Sequence, residues 1–473
     1  MSDLLHATAR PVRACQRLRQ LLTIVLLLAM AGCATTVVQD FTRHLPAGAP
    51  RHIVLFFDGT ANDASSRTNV ARLFEITVHQ NRSELLTWYH EGVGSDTRWI
   101  GAATGWGIGG HVRAGYVFLA QHHREGDAGA QDHRSLVGFS RGAYSARILL
   151  GLVELADLPM LLPATRASLG PAQQQALLAQ LAEELFDAHK HDSMPTAERR
   201  AAIEAVYARH AGQLRRSAPV RLQAVALWDT VESLGMRGLG AAAAGENQRY
   251  HHSLCAADAV WHALALDDNR ATSFAPQGIL HPALVAGCAN HPPRRHEVWF
   301  SGAHADVGGG YGDTSLASLS LNWMLQQLQP VGFLPPGAAV WADAQGRVHD
   351  AQAGNLLYRL LLDRTSRNLW PMLCDQQGLP AAADGHHCLA ADGSLVPPTG
   401  RVRLHASVIE RLRLLRARAD RPGADGRCSQ PGGCDYDARW YLQPGLVGCF
   451  ANTADGLAFN PAACAQLAVD DGR

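Results

Sequence analysis

Neither sign of charge predominates in this chain: 42 Lys and Arg stand against 42 Asp and Glu in 473 residues. Without an overall field, nothing recruits nucleic acid by charge alone, and nucleic-acid binding is not expected. Internal repeats are absent, so the chain does not read as a solenoid or a propeller. No CxxC pair occurs among the ten cysteines, which removes the commonest zinc pattern. Neither a metal nor a cofactor is expected. The apolar run LLTIVLLLAMAG near the N-terminus has about a dozen residues, short of the ~20 that a membrane-spanning helix needs. What is present is 47% hydrophobic and 18% charged residues, a composition that supports a large buried core.

That apolar run follows Arg10, Arg13, Arg17 and Arg19 and ends in small residues at Cys33, the order of a secretory signal. The ending AMAGC resembles the lipobox of bacterial lipoproteins, with Met30 where Leu, Val or Ile is usual. Residues 1–33 are therefore expected to be a lipoprotein-type signal whose Cys33 becomes lipidated. This would tether the chain to a membrane surface of the bacterial envelope. Ala34 after it favours the outer membrane, facing the periplasm. A plain signal peptide or an uncleaved anchor is the alternative.

In an exported chain cysteines pair. Setting Cys15 and Cys33 aside leaves Cys255, Cys288, Cys374, Cys388, Cys428, Cys434, Cys449 and Cys464. Near neighbours are the expected partners, Cys374 with Cys388 and Cys428 with Cys434. Beyond about residue 330 the composition shifts toward Ala, Gly, Pro and Cys. Residues 331–473 read as a Cys-rich extension packed on the catalytic domain. In it LLYRLLLDRTSRNLW and HASVIERLRLLRARA have helical character, and Val408, Leu412 and Leu415 form a stripe in the second.

Five β-like apolar runs each end in small or reactive residues. HIVLFF leads to DGTAND, LLTWYH to EGVGSD, SLVGF to Ser140, VRLQAVALW to DTVESLG, and HEVWF to SGAHADVGGGYGD. In open α/β sheets, ligands bind beyond the carboxyl ends of parallel strands. The expected fold class is thus α/β, α/β-hydrolase-like: a mostly parallel central sheet flanked by helices, with a helical insertion and a disulfide-rich C-terminal region. The catalytic domain is placed at 50–330 and the insert at about 171–215. There Leu177, Leu178, Leu181 and Leu185 share one helical face, and Ile203, Val206 and Tyr207 follow the same period. A lid and a pair of ordinary packing helices fit this pattern equally.

Gly138-x-Ser140-x-Gly142 matches a nucleophile elbow, the sharp strand-to-helix turn that exposes a serine at the sheet edge. A serine hydroxyl needs a histidine to accept its proton and a carboxylate to orient that histidine. Asp229, after the run ending in Trp228, and His304, after the run ending in Phe300, satisfy both the chain order and the sheet-edge location. Asp306 and Asp58 compete with Asp229. Asp306 reads instead as a brace for the DVGGGY turn, since aspartate bonds readily to nearby backbone amides. For the oxyanion, the amide of Arg141 and one from FFDGTAND, Gly59 or Thr60, are expected as donors, with Asp58 and Asn62 shaping the loop. A purely structural turn is the alternative there. Gly105, Gly107 and Gly110 spell GxGxxG, but no convincing apolar strand precedes them and the ribose-binding acid about twenty residues on is not clear, so dinucleotide binding is not expected.

Together FFDGTAND, GVGS with GAATGWGIGG, GFSRGAYSAR, WDTVESLG and SGAHADVGGGYGD resemble the catalytic domain of the type VI secretion lipase-effector family. The resemblance covers about residues 50–330 and, weakly, YRLLLDRTSRNLW and HASVIERL. It implies an α/β-hydrolase with phospholipase activity, and it matches Ser140, Asp229 and His304 to the family's triad. The lipoprotein-like N-terminus departs from a delivered toxin, so a housekeeping envelope lipase fits as well as an antibacterial role. The expected activity is metal-independent cleavage of a lipid or acyl ester through an acyl-enzyme. A catalytically silent binding lipoprotein and an amidase or thioesterase on the same triad are the alternatives. No immunity or secretion partner can be read from the sequence.

Overall fold

Each of those five runs becomes a strand of one sheet. The computed structural model describes residues 36–46, 48–59, 62, 65–92, 108–126, 131–191, 194–232, 252–270, 274–288, 291–352, 367–384, 387–415, 450–453, 456–459 and 467–470. The N-terminal segment with Cys33 lies outside them, as do Thr60, GVGS from residue 93 on, most of GAATGWGIGG, and Cys428, Cys434, Cys449 and Cys464.

In chain order the strands are β1 (Thr36–Asp40), β2 (His52–Phe57), β3 (Leu85–His90), β4 (His133–Phe139), β5 (Pro159–Leu161), β6 (Leu214–Arg216), β7 (Ala224–Trp228), β8 (Ala259–Ala265) and β9 (Arg294–Phe300). β5 and β6 form a small separate antiparallel pair. The others join Val402–His405 and Leu467–Asp470 in a nine-stranded sheet, ordered β1-β3-β2-β4-β7-β8-β9 and then the two C-terminal strands. Every neighbouring pair is parallel except β1 with β3. This is an α/β-hydrolase-like fold.

Strands buried on both faces need near-continuous apolar sequence. Accordingly Ile53 to Phe57 and Ala224 to Trp228 are wholly buried. On one face Leu136, Leu149 and Leu152 pack with helices Ile108–His122, Arg141–Ala156, Pro171–His189 and Thr196–Arg209. On the other Val137, Phe139, Leu321 and Met324 pack with Asn69–Val78 and Ser315–Leu328. In Pro171–His189 and Thr196–Arg209, which lie between β5 and β6, Leu178, Leu181, Leu185, Ile203, Val206 and Tyr207 are all buried in the first of these clusters. Their apolar faces are therefore consumed by packing against the core.

β8 was not among the runs read from the sequence. It is Ala-rich and carries His262, a residue that strand patterns do not favour. The sheet absorbs it by burying His262 against Glu297, Nδ1 to Oε2 at 3.4 Å. A third cluster joins Leu264, Leu266 and Trp299 to Leu369, Trp370, Leu373, Val402, Leu404 and Val408. Two cross-links are present among the described residues, Cys374–Cys388 as expected and Cys255–Cys288. The chain reverses strand order around β2 and β4, so the loops after these two strands flank the crevice where such sheets bind ligands.

Candidate active site

Ser140 stands between β4 and helix Arg141–Ala156 with φ 58° and ψ −123°. A non-glycine residue pays about 1–3 kcal/mol to occupy such a conformation. The turn can close because its neighbours lack side chains. A Cβ on Gly142 would lie 2.1 Å from the Phe57 carbonyl oxygen, and one on Gly138 would lie 2.6 Å from the Ala143 Cα. The elbow is thus pressed onto the end of β2, and the Ser140 amide donates to the Trp228 carbonyl at the end of β7 (3.0 Å).

His304 opens the short helix His304–Gly308 directly after β9. Its Nδ1–H donates to Asp229 Oδ2, and its Nε2 accepts the Ser140 hydroxyl at 2.7 Å. The tautomer follows from the partner, because an ionised carboxylate can only accept. The ring is fixed by Phe139, 4.6 Å between centroids, and by Phe274 edge-on at 5.2 Å. Its backbone N–H donates to Asp268 Oδ2 at 3.2 Å. Burial pushes the imidazole pKa below its ordinary 6.5, against the upward pull of Asp229.

Asp229 is fully buried and also sits at positive φ, 38°. The next amide, that of Thr230, donates to His262 Nε2 at 3.0 Å, so the buried His262–Glu297 pair steadies this turn. Asp229 Oδ1 accepts the Ala265 amide at 3.0 Å and Arg367 Nη1 at 2.6 Å. Oδ2 accepts Arg367 Nη2 at 2.8 Å as well as His304. Burial alone would raise the Asp229 carboxyl, but Arg367 and then His304 outweigh it and hold the group well below the usual carboxylate range. Arg367 escaped the sequence reading. It stands in a stretch with two other arginines, Arg359 and Arg364, and nothing local marks which of them turns inward.

The two competing carboxylates are engaged elsewhere. Asp306 accepts the Ala303 amide at 3.0 Å, the His349 amide at 2.9 Å and His349 Nδ1 at 2.6 Å. Asp58 accepts the hydroxyls of Thr68 and Tyr89, each at 2.6 Å. It also accepts the Gly59 amide at 2.6 Å. In this structure the Gly59 N–H donates to its neighbour's carboxylate, and Thr60, the other expected donor, lies outside the described residues. Asn62 closes the same loop, its amide on the Gly59 carbonyl at 3.1 Å and its carbonyl receiving the Gly92 amide at 2.9 Å. Arg141 follows Ser140 as the first residue of its helix, where the helix dipole favours a negative charge.

A serine, a histidine and a carboxylate in this relation can move a proton off the hydroxyl and hold the resulting imidazolium. Among the described residues no cluster of His, Cys, Asp and Glu is arranged to hold a metal ion.

A 123-residue stretch is 28% identical to the uncharacterized protein YEL023C of Saccharomyces cerevisiae, covering 22% of this chain and 17% of that protein. An uncharacterized protein from Pseudomonas aeruginosa is similar at 17% identity and a TM-score of 0.35, over 60% of this chain and 46% of that one. The butyrate-bound esterase Est2 of Thermogutta terrifontis is similar at 13% identity and a TM-score of 0.33, over 65% and 92% of the two chains. The chain thus spans less than half of the yeast protein and of the Pseudomonas protein. Residues 51–327 match the family described as T6SS, phospholipase effector Tle1-like, catalytic domain. With more than half of its length in that match, the chain belongs to the Tle1-like catalytic-domain family of type VI secretion phospholipase effectors.

Proposed function

We propose that the chain is a serine hydrolase of carboxylic esters, with glycerophospholipids as its substrate class. The observation that carries this is the continuous line from Ser140 Oγ through both nitrogens of His304 to Asp229, at the carboxyl ends of β4, β7 and β9. Ser140 attacks the acyl carbonyl as His304 Nε2 takes its proton, and Asp229 orients and balances the imidazolium. The oxyanion meets the Arg141 amide at the start of its helix. His304 then returns the proton to the leaving alcohol, and water releases the fatty acid by the same steps in reverse. Membership of the Tle1-like family supports phospholipid over other acyl esters.

For the setting, the basic, apolar and Cys33 segments support tethering to the envelope. No helix among the described residues is long and apolar enough to cross a membrane.

The test is a fluorophosphonate probe followed by peptide mass spectrometry, run beside a panel of glycerophospholipids, short acyl esters, amides and thioesters. Adduct on Ser140 and turnover of phospholipid are expected. A chain inert to both probe and esters would overturn the reading, and turnover confined to amides or thioesters would move it to another acyl class.

A further inference from the structure

The family match ends at residue 327, yet the acid of the site is gripped by a residue 40 positions further on. Arg367 is almost wholly buried and makes four bonds from its two terminal nitrogens. Two go to the two oxygens of Asp229, at 2.6 and 2.8 Å, and two to the carbonyls of Ala265 and Phe274, at 2.7 and 2.8 Å. The carboxylate contacts are the paired fork that fixes both distance and plane.

The segment that brings Arg367 there is itself secured. Leu369, Trp370, Leu373 and Cys374 pack on Leu264 of β8, Leu266 just after it and Trp299 of β9, and Cys374 is cross-linked to Cys388. An isolated guanidinium in such a place would be costly, as would the carboxylate without it.

We propose that Arg367 is a positioning residue of the active site, supplied by the C-terminal region, which locks the plane of Asp229 and shares its charge. The proposal rests on the reading of Ser140, His304 and Asp229 as a triad. Its consequence is electrostatic. In a triad with an unshared acid, the imidazolium formed during attack has the whole carboxylate charge to itself. Here it shares that charge with a guanidinium already in place.

The other groups facing His304 do not restore the missing charge. Asp268 is matched by Arg270, with Nη2 to Oδ2 at 2.6 Å, Phe139 and Phe274 are neutral, and Asp306 on the same helix is bonded to the Ala303 amide and to His349. His304 is therefore a weaker base than an unshared acid would make it. It stays neutral and ready to accept the serine proton at lower pH.

The test compares full-length wild type with Arg367→Met and Arg367→Lys on a soluble short-chain ester across pH. Arg367→Met should lower kcat by about tenfold or more with KM within about twofold. It should also move the acid limb of kcat/KM upward by about one unit, as the removal of a nearby like charge from the imidazolium dictates. Arg367→Lys keeps the charge but not the fork, so it should leave the limb in place and recover part of kcat. A merely structural arginine would lower the melting temperature while the pH limb of the folded enzyme stayed where it was, and that result overturns the proposal.

Should Arg367→Met not fold, the His304 ring can be titrated by NMR in the wild type and in Arg367→Gln, which keeps a donor toward Asp229 without the charge. A titration about one unit higher in Arg367→Gln supports the shared charge, and an unchanged one refutes it. A wild type inert to esters and phosphonate sinks the triad reading instead, and the NMR titration still reports on the clamp.

Discussion

Replacing Asp229 by Asn probes the site more sharply than deleting it, because the amide keeps the shape and changes only donors and charge. Both carboxylate oxygens receive two donors. Oδ1 faces the Ala265 amide and Arg367 Nη1, and Oδ2 faces Arg367 Nη2 and His304 Nδ1. An Asn side chain must put its NH2 at one of these positions. At Oδ1 it would meet two donors that cannot become acceptors, whereas at Oδ2 it meets His304, which can shift its proton to Nε2. The amide should therefore settle with NH2 toward His304 and select the tautomer that cannot accept from Ser140.

A wrong tautomer in a triad costs about 10⁴ in turnover, on the order of 5 kcal/mol of barrier. Leaving Arg367 buried against a neutral group should also cost ~3–5 kcal/mol of stability. The assay is kcat on a soluble ester, normalised to folded protein, with urea unfolding in parallel. An Asp229→Asn enzyme within tenfold of wild type would refute the assignment of this carboxylate.

Further outcomes follow from the same geometry. Asp306→Asn disturbs the hydrogen bonds with His349 and weakens the cap on the helix that begins at His304, so unfolding should come about 1–3 kcal/mol easier, with turnover per folded molecule nearly unchanged. If its turnover instead collapses while Asp229→Asn stays active, the two roles are exchanged. Removing the Cys374–Cys388 cross-link, a sequence separation of 14, should cost about 3 kcal/mol by loop-closure entropy, read as a lower urea midpoint; an unchanged midpoint would contradict this. Because burial lowers the His304 pKa below 6.5, the neutral, proton-accepting form persists to lower pH. The acid limb of kcat/KM should then fall below pH 6.5, and a limb above 7 would show the environment has been misread.

The sheet was legible because its strands are buried on both faces and so write themselves as apolar runs. β8 escaped because alanines and a buried histidine fill it, and only its pairing with Glu297 makes His262 acceptable there. The polar residues after it, Asp267, Asp268 and Arg270, follow the same pattern of chemistry at the strand ends that singled out Ser140, Asp229 and His304. The last three lie far apart in sequence, yet the parallel order of β4, β7, β8 and β9 brings their side chains into contact.

What local pattern could not reveal was competition for hydrogen bonds. The bond from the Gly59 amide to Asp58 Oδ1 is one that no spacing in the sequence shows. Arg367 meets Asp229 across 138 residues, a separation no spacing rule reaches. The helical faces at Leu178 and Ile203 read equally as lid or core, and burial against the helices beneath decides how those faces are spent.

The central claim is that Ser140 attacks the substrate, and the most direct measurement is kcat for Ser140→Ala on phospholipid and on a short acyl ester. Alanine leaves Gly138, Gly142 and the packing of the elbow as they are, so the thermal melt should be nearly unchanged. Turnover should fall by about a millionfold, the usual consequence of removing a triad nucleophile. Substantial residual hydrolysis by a clean Ser140→Ala preparation would contradict the account and place the chemistry elsewhere in the chain.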